Sequence, residues 1–303
     1  MQVGIIGMGR MGANMARRLA RAGVRVVCHD HKPAAAATLR GEANVECVEN
    51  LAAMCARLDG ERVILLMLPA GAAVEEAIRD LLPLVSAGDT LVDGGNSYYR
   101  DSMRRALALS QQGLRYIDLG VSGGLHGLQN GYCLMLGGTP KSVEVFEPYA
   151  RILAPAPEAG WLHCGPSGAG HFAKMVHNGI EYGIMQALAE GFALLAARPD
   201  LDIDATRLAE TWRHGSVVRS WLLDLCAAIL KDNESLEGVA PVIDDSGAGR
   251  WTAMEAIELG VPAPVITTAL LARFSSQGRS DHARKLIALM RAGFGGHAVH
   301  RKP

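Results

Sequence analysis

The sequence predicts two domains of different class, a doubly wound α/β sheet domain followed by an all-helical domain. Three observations carry that prediction. Short apolar runs alternate with amphipathic stretches through the first half of the chain. A glycine-rich G-x-G-x-x-G turn separates the first run from the first amphipathic stretch. After about Gly165 the strand-like runs stop and helical periodicity takes over. The boundary is expected near Ser167, dividing residues 1–166 from residues 167–303.

In chain order, Val3-Gly4-Ile5-Ile6 reads as a strand, Met11 to Ala22 as a helix ended by Gly23, and Val24 to His29 as a second strand. Val63 to Leu68 is a fully apolar run stopped by Pro69, and Thr90-Leu91-Val92 and Tyr116 to Leu119 are further strands. Helical patterns at Ala72 to Leu82 and Arg100 to Gln111 lie between them. Strands alternating with helices imply βαβ units and a parallel sheet buried on both faces. Beyond the boundary, helices are expected at Ala169 to Ala197, Ala205 to Trp212, Trp221 to Leu230, Trp251 to Leu259, Pro264 to Ser276 and His282 to Arg291.

Composition narrows the classes of function. The 303 residues are 49% apolar and 20% charged, too apolar for a disordered chain. A formal net charge of -1 gives no electrostatic footprint for nucleic acid or an anionic membrane. Aromatic residues, at 5%, are too few for base-stacking platforms. The 35 glycines follow no Gly-X-Y period and cluster in short turns, as nucleotide-binding folds require. The six cysteines are scattered with no C-x-x-C pair, which suits reduced thiols in a cytoplasmic protein rather than a disulfide frame or zinc site. No apolar run approaches the roughly 20 residues that span a bilayer. A strand expected from Gln2 argues against a secretory leader.

The fingerprint Gly7-Met8-Gly9-Arg10-Met11-Gly12 follows a strand and opens a helix, the context of a Rossmann-like dinucleotide site. Gly7 permits the tight turn, Gly9 lets the backbone approach a pyrophosphate, and Gly12 allows the helix to pack closely on the strand. The helix N-terminus attracts the anion. Asp30 ends the second strand, near the spacing at which an acid takes the adenosine ribose hydroxyls. A carboxylate there would repel a 2′-phosphate by about 4 kcal/mol per charge pair at ~4 Å. NAD is therefore expected in preference to NADP, with Arg10 and Lys32 as nearby cations.

Two polar, glycine-rich loops follow later strands. Asn96 and Ser97 come after Asp93-Gly94-Gly95, and Ser122-Gly123-Gly124 ends the next strand. Both belong at the sheet edge where open α/β folds bind ligands. The most informative segment is Gly168 to Tyr182. Lys174, His177, Asn178, Glu181 and Tyr182 stand at i, i+3, i+4, i+7 and i+8, one stripe of one helix in an apolar surround. With only six lysines in the chain, Lys174 belongs to no solvated lysine face. A desolvated lysine loses its proton more readily and can serve as a base. Glu181 could donate a proton, Asn178 and His177 could fix substrate hydroxyls, and Tyr182 could reach an anionic group.

With these residues in place, the chain resembles the decarboxylating 6-phosphogluconate dehydrogenases, particularly their short form. The resemblance runs over almost the whole chain. It rests on the glycine fingerprint, Asp93 to Tyr99, Val121 to Gly124, Gly170 to Tyr182, Gly249-Arg250-Trp251-Thr252, Ala272-Arg273 and the tail Phe294-Gly295-Gly296-His297.

The resemblance implies that NAD oxidises C3 of 6-phosphogluconate while Lys174 removes the hydroxyl proton. The β-keto acid then loses CO2 with protonated Lys174 stabilising the enolate oxygen, and Glu181 protonates C1 to give ribulose 5-phosphate. No metal is implied, because the keto group is the electron sink. His177 and Asn178 would orient the sugar with Asn96, Ser122, Gly123 and Gly124. Tyr182 and Arg273 would hold the phosphate. Arg291 and His297 occupy tail positions that, in the family, reach it from a neighbouring subunit, so a homodimer or homotetramer is implied.

Two departures from the long form stand out. Its Lys-Gly-Thr-Gly-Lys is Ser246-Gly247-Ala248-Gly249-Arg250 here, which removes a phosphate-binding lysine and threonine and leaves Arg250 as the candidate replacement. The helical domain is also much shorter. Where NADP-using relatives show Asn-Arg-Thr, this chain has Asp30-His31-Lys32, in line with NAD. Two other readings compete: a β-hydroxyacid dehydrogenase of the 3-hydroxyisobutyrate type, and a non-catalytic NAD-binding protein. The former usually carries two asparagines after the lysine, not His-Asn followed by Glu-Tyr, and the latter would show a damaged lysine stripe.

Overall fold

The structure, a computed structural model, describes residues 1–232, 236–295 and 298–300. The chain divides into two compact units, Met1–Met175 and Val176–Pro303. In the first, eight strands form one sheet: β1 (Gln2–Ile6), β2 (Arg25–His29), β3 (Val45–Cys47), β4 (Val63–Leu66), β5 (Thr90–Asp93), β6 (Arg115–Ser122), β7 (Cys133–Gly137) and β8 (Trp161–Gly165). Their order is β3-β2-β1-β4-β5-β6-β7-β8. The first six strands run parallel and reverse winding direction between β1 and β4, which makes a ligand crevice at their carboxyl ends.

The strands foreseen from the sequence pair in parallel, and the sheet extends beyond them through β7, which pairs antiparallel to β6, with β8 parallel to β7. Strands β3, β7 and β8 were not foreseen. β3 has three half-buried residues and β8 only half-buried or exposed ones, so neither shows the buried run that marks a central strand, whereas β7 does carry an apolar run, Cys133 to Leu136.

Alternation along the strands fills two cores. Val63 and Leu65 face one, with Ala13, Met15 and Leu19 of α1 (Arg10–Arg21). Ile64 and Leu66 face the other, with Met54 of α3 (Leu51–Ala56) and Val74 and Ile78 of α4 (Ala72–Leu81). The short α2 (Pro33–Ala37) follows β2, α5 (Tyr99–Ser110) follows β5, and α6 (Gly127–Asn130) precedes β7. Helix α7 (Pro140–Leu153) starts with proline at its first turn and Thr139 accepting from the Ser142 amide, and it buries Val143, Phe146 and Leu153.

Helix α8 (Ala169–Ala196) begins in the first unit and continues into the second. The second unit adds α9 (Ala205–Trp212), α10 (Trp221–Asp232), α11 (Ala248–Glu258), α12 (Pro264–Ser276) and α13 (Asp281–Gly295). Ala209, Ala227 and Leu230 form its small core, with Phe192 and Cys226 against them. Among the described residues no helix is long and apolar enough to cross a membrane.

Candidate active site

The glycine turn leaves the end of β1 beside β4, where the Met67 amide donates to the Ile6 carbonyl at 2.8 Å. Each fingerprint glycine has a visible reason. Gly7 has φ +94, nothing lies within 4 Å of a Cβ built on Gly9, and one on Gly12 would fall 2.0 Å from the Gly7 carbonyl oxygen. No side chain caps the N-terminus of α1, so its first amides remain for an anion. An opening of about 350 Å³ lies here, lined by Met8, Gly9, Arg10, Ala13, Asn14 and Arg17. Met11 packs against the sheet core instead. The Asp30 carboxylate accepts from the Met8 amide at 2.6 Å and the Lys32 amide at 2.7 Å. It therefore ties the glycine turn to the end of β2. This chemistry fits a dinucleotide: bare amides for the pyrophosphate, and an acid at the ribose position.

The loop after β5 is held from below. Asp93, fully buried, accepts from Ser97 Oγ at 2.7 Å, Arg105 at 2.9 Å and Tyr116 Oη at 3.0 Å. Burial opposes the charge of Arg105, but Tyr116, Asp93 and Glu75 raise its pKa overall. Burial, with Asp93 adjoining, pushes the Tyr116 phenol well up. On this base Asn96 adopts a left-handed backbone, φ 52, and its Oδ1 accepts from the Val121 amide at 3.2 Å. The loop of Asn96 is thereby fastened to β6, whose last residue is Ser122, followed by Gly123 and Gly124.

Strand β6 also sets the start of α8. The buried Asp118 carboxylate accepts from the Gly168 amide at 2.7 Å and the His171 amide at 2.8 Å, capping the helix from the sheet. A Cβ on Gly120 would lie 2.5 Å from Lys174 Cβ, so this glycine lets the lysine stem lie against the strand. Lys174 is 6% exposed, deep enough to be desolvated.

In the second unit, the next turns of α8 carry the remaining stripe. His177 Nδ1 is 3.2 Å from Asn178 Oδ1 and 3.8 Å from Glu181 Oε2, and His177 and Glu181 are each half-exposed. Tyr182 is buried, with its hydroxyl 3.1 Å from Ser246 Oγ. Arg273 lies 3.5 Å from the centroid of the Tyr182 ring and donates to the Asp244 carbonyl at 2.9 Å. Gly249 faces the same ring, where a Cβ would come within 2.4 Å.

Arg250, the candidate replacement for the missing lysine, is occupied. Its guanidinium pairs with Asp245 at 2.5 Å and stacks over Phe274. Arg291 is exposed on α13. His297 lies outside the described residues. The structure thus brings Tyr182, Ser246 and Arg273 together and directs Arg250 to another partner.

The sequence reading missed Asp118, Ser102, His171 and Ser246. Asp118 had a signal, an acid inside the apolar run Tyr-Ile-Asp-Leu. His171 had one too, standing three residues before Lys174 on the same helical stripe, whereas Ser102 and Ser246 had none, since their roles depend on cross-element neighbours.

Comparison with known proteins agrees with this geometry. Residues 2–158 match the family described as the NAD binding domain of 6-phosphogluconate dehydrogenase, and residues 170–301 match the 6-phosphogluconate dehydrogenase C-terminal domain. The chain is 42% identical over 304 residues to the NAD(+)-dependent, decarboxylating 6-phosphogluconate dehydrogenase of Haloferax volcanii, covering 100% of this chain and 99% of that one. It is 38% identical over 302 residues to the putative 6-phosphogluconate dehydrogenase YqeC of Bacillus subtilis, covering 100% of both. The Plasmodium falciparum 6-phosphogluconate dehydrogenase structure superposes with a TM-score of 0.84 at 27% identity, covering 100% of this chain and 67% of that one.

Proposed function

From the premise that this chain belongs to the 6-phosphogluconate dehydrogenase family, we propose that it oxidatively decarboxylates 6-phosphogluconate to ribulose 5-phosphate and CO2, using NAD. The observation that carries the reading is the buried Lys174 on a helix whose later turns present His177, Asn178, Glu181 and Tyr182.

Bound at the glycine turn, NAD supplies the two-electron oxidant for C3. Gly7, Gly9 and Gly12 with the first amides of α1 take its pyrophosphate, Arg10 supplies a nearby cation, and Asp30 takes the adenosine ribose. Lys174 accepts the C3 hydroxyl proton, and as an ammonium it stabilises the enolate oxygen while CO2 departs. Glu181 delivers a proton to C1, and its partial exposure allows it to be reprotonated from solvent. Asn178 and His177 orient the sugar hydroxyls, with Asn96, Ser122, Gly123 and Gly124. Tyr182, Arg273 and the Ser246 hydroxyl hold the phosphate. Because Asp245 engages Arg250, we assign Arg250 a supporting part only.

A homodimer or homotetramer is part of this proposal. The helical unit exposes Leu194, Val217, Ile257 and Val265, apolar side chains that a subunit contact would cover. Arg291 and His297 would serve a neighbouring subunit's phosphate. A cytoplasmic location accords with six free cysteines.

The experiment is an assay with 6-phosphogluconate and each nicotinamide cofactor, following reduced cofactor and CO2 together. Stoichiometric NADH and CO2 are expected. Reduced cofactor without CO2 would assign the chain to hydroxyacid oxidation, NADPH in place of NADH would refute the cofactor reading, and no reduced cofactor of either kind would refute an enzymatic role on this substrate.

A further inference from the structure

One buried imidazole has no part in the reaction above. His171 is 1% exposed and precedes Lys174 by three residues on α8, so the two are neighbours on one helix face. Its Nδ1 is 2.7 Å from Ser102 Oγ, and its Nε2 is buried with no hydrogen-bond partner. Buried polar atoms are rarely left so.

The proton on this ring can be placed by following the hydrogen bonds back to their anchor. Asp93, ion-paired with Arg105, only accepts. Tyr116 Oη therefore donates to Asp93, at 3.0 Å. Ser102 acts to lower the Tyr116 pKa, the direction expected of a hydroxyl turned toward the phenol oxygen. The alternative acceptor for that hydroxyl proton, the Tyr98 carbonyl at 3.4 Å, also directs it away from the imidazole. With its proton so directed, Ser102 offers a lone pair to His171, which places the hydrogen on Nδ1. A neutral imidazole protonated at Nδ1 has its lone pair at Nε2. The other charged groups around this chain are Asp118, which holds the His171 backbone amide, and Glu75, which pairs with Arg105 from α4.

We infer that His171 is a positioning residue for Lys174: the Asp93–Tyr116–Ser102 chain locks it in the Nδ1–H form, and its Nε2 lone pair accepts a hydrogen bond from the Lys174 ammonium once the lysine has taken the substrate proton. The inference rests on the proposed role of Lys174 as base. It explains why a polar chain crosses the sheet core to end on an atom without a partner in the resting enzyme. It also gives the cation formed during turnover a buried acceptor.

The test uses the full-length enzyme and two readouts. Nitrogen NMR of the labelled imidazole, assigned by its loss in His171→Gln, should show the Nδ1–H form. In Tyr116→Phe the serine proton loses its acceptor and can turn to Nδ1, so the Nε2–H form should appear. In the second readout, Tyr116→Phe and Ser102→Ala should each move the acid limb of kcat/KM for 6-phosphogluconate down by about one pH unit, the size expected for losing a hydrogen bond to a charged group. They should lower kcat about tenfold and leave KM for NAD within about twofold of wild type. His171→Gln, which keeps an acceptor oxygen, should retain the limb that His171→Leu loses. A merely structural role would change kcat without moving the limb.

An Nε2–H imidazole in the wild-type enzyme, or an unmoved limb in both Tyr116→Phe and Ser102→Ala, overturns the inference. Full turnover by Lys174→Met would instead refute the lysine's assigned role, while the tautomer measurement still decides the state of the ring.

Discussion

Arg273 sits over the ring of Tyr182, its guanidinium carbon 3.5 Å from the ring centroid. The stack holds the planar cation beside the Tyr182 hydroxyl and Ser246 Oγ, while the Asp244 carbonyl takes one N–H. Such a group suits a phosphate dianion better than a lone flexible lysine would. Arg273→Ala should therefore raise KM for 6-phosphogluconate by roughly tenfold to a hundredfold, the loss of one charged hydrogen-bonding partner. KM for gluconate should hardly change, and steady-state kinetics on both substrates checks this.

Arg250 should behave differently. Asp245 claims its guanidinium, so Arg250→Ala should alter KM for 6-phosphogluconate by less than about threefold. The Asp245 pair also predicts a pH dependence. Burial works against the Asp245 carboxylate, but the Gly247 amide and Arg250 outweigh it and depress its pKa below the usual value. A depressed carboxylate contributes stability above its unfolded pKa of about 3.9 and loses it as pH falls through the lower folded value. In urea unfolding, Asp245→Asn should therefore be less stable than wild type at pH 7, and the gap should narrow as the pH falls through the depressed folded value.

In the proposed site Asp30 has two tasks: its oxygens hold the Met8 and Lys32 amides, and we assign it the adenosine ribose. Asp30→Asn should raise KM for NAD, because only one amide acceptor remains. It should also shift the NADP-to-NAD ratio of kcat/KM toward NADP by at least about tenfold, as the repulsion of a 2′-phosphate disappears. Kinetics with both cofactors gives the ratio directly.

Lys174→Met should abolish turnover and leave the Kd for NAD within about twofold, read by fluorescence titration. Glu181→Gln should slow ribulose 5-phosphate formation after CO2 release. Unchanged product formation would remove the acid role.

Asp118 caps α8 from inside the sheet with two charged hydrogen bonds. Asp118→Ala should cost about 3 kcal/mol of stability and lower kcat, because the first turn of the helix bearing Lys174 loses its anchor. Chemical denaturation and kinetics on one preparation would measure both.

Much of the site was readable because local chemistry demanded particular residues. The close packing of Gly12 on Gly7, and a lysine followed by His-Asn and Glu-Tyr at helical spacing, are legible without neighbours. Strands β3 and β8 were not, because short, partly exposed strands carry little periodic signal; β7 had a legible apolar run, Cys133 to Leu136, and only its direction depended on the fold. Nor could Arg250 be sorted from Arg273 by sequence. Both are arginines near the phosphate motif, and only the position of Asp245 makes one of them busy.

The sequence by itself determined the order of sheet and helices, the dinucleotide turn and the single helical stripe of reactive side chains, because each depends on periodicity within one segment. Tertiary structure alone decided the antiparallel β7, the Asp118 cap on α8, the engagement of Arg250, and the Tyr116–Asp93 and Ser102–His171 hydrogen bonds. Each of these joins residues far apart in the chain, and buried polar atoms find their partners only after packing has excluded water.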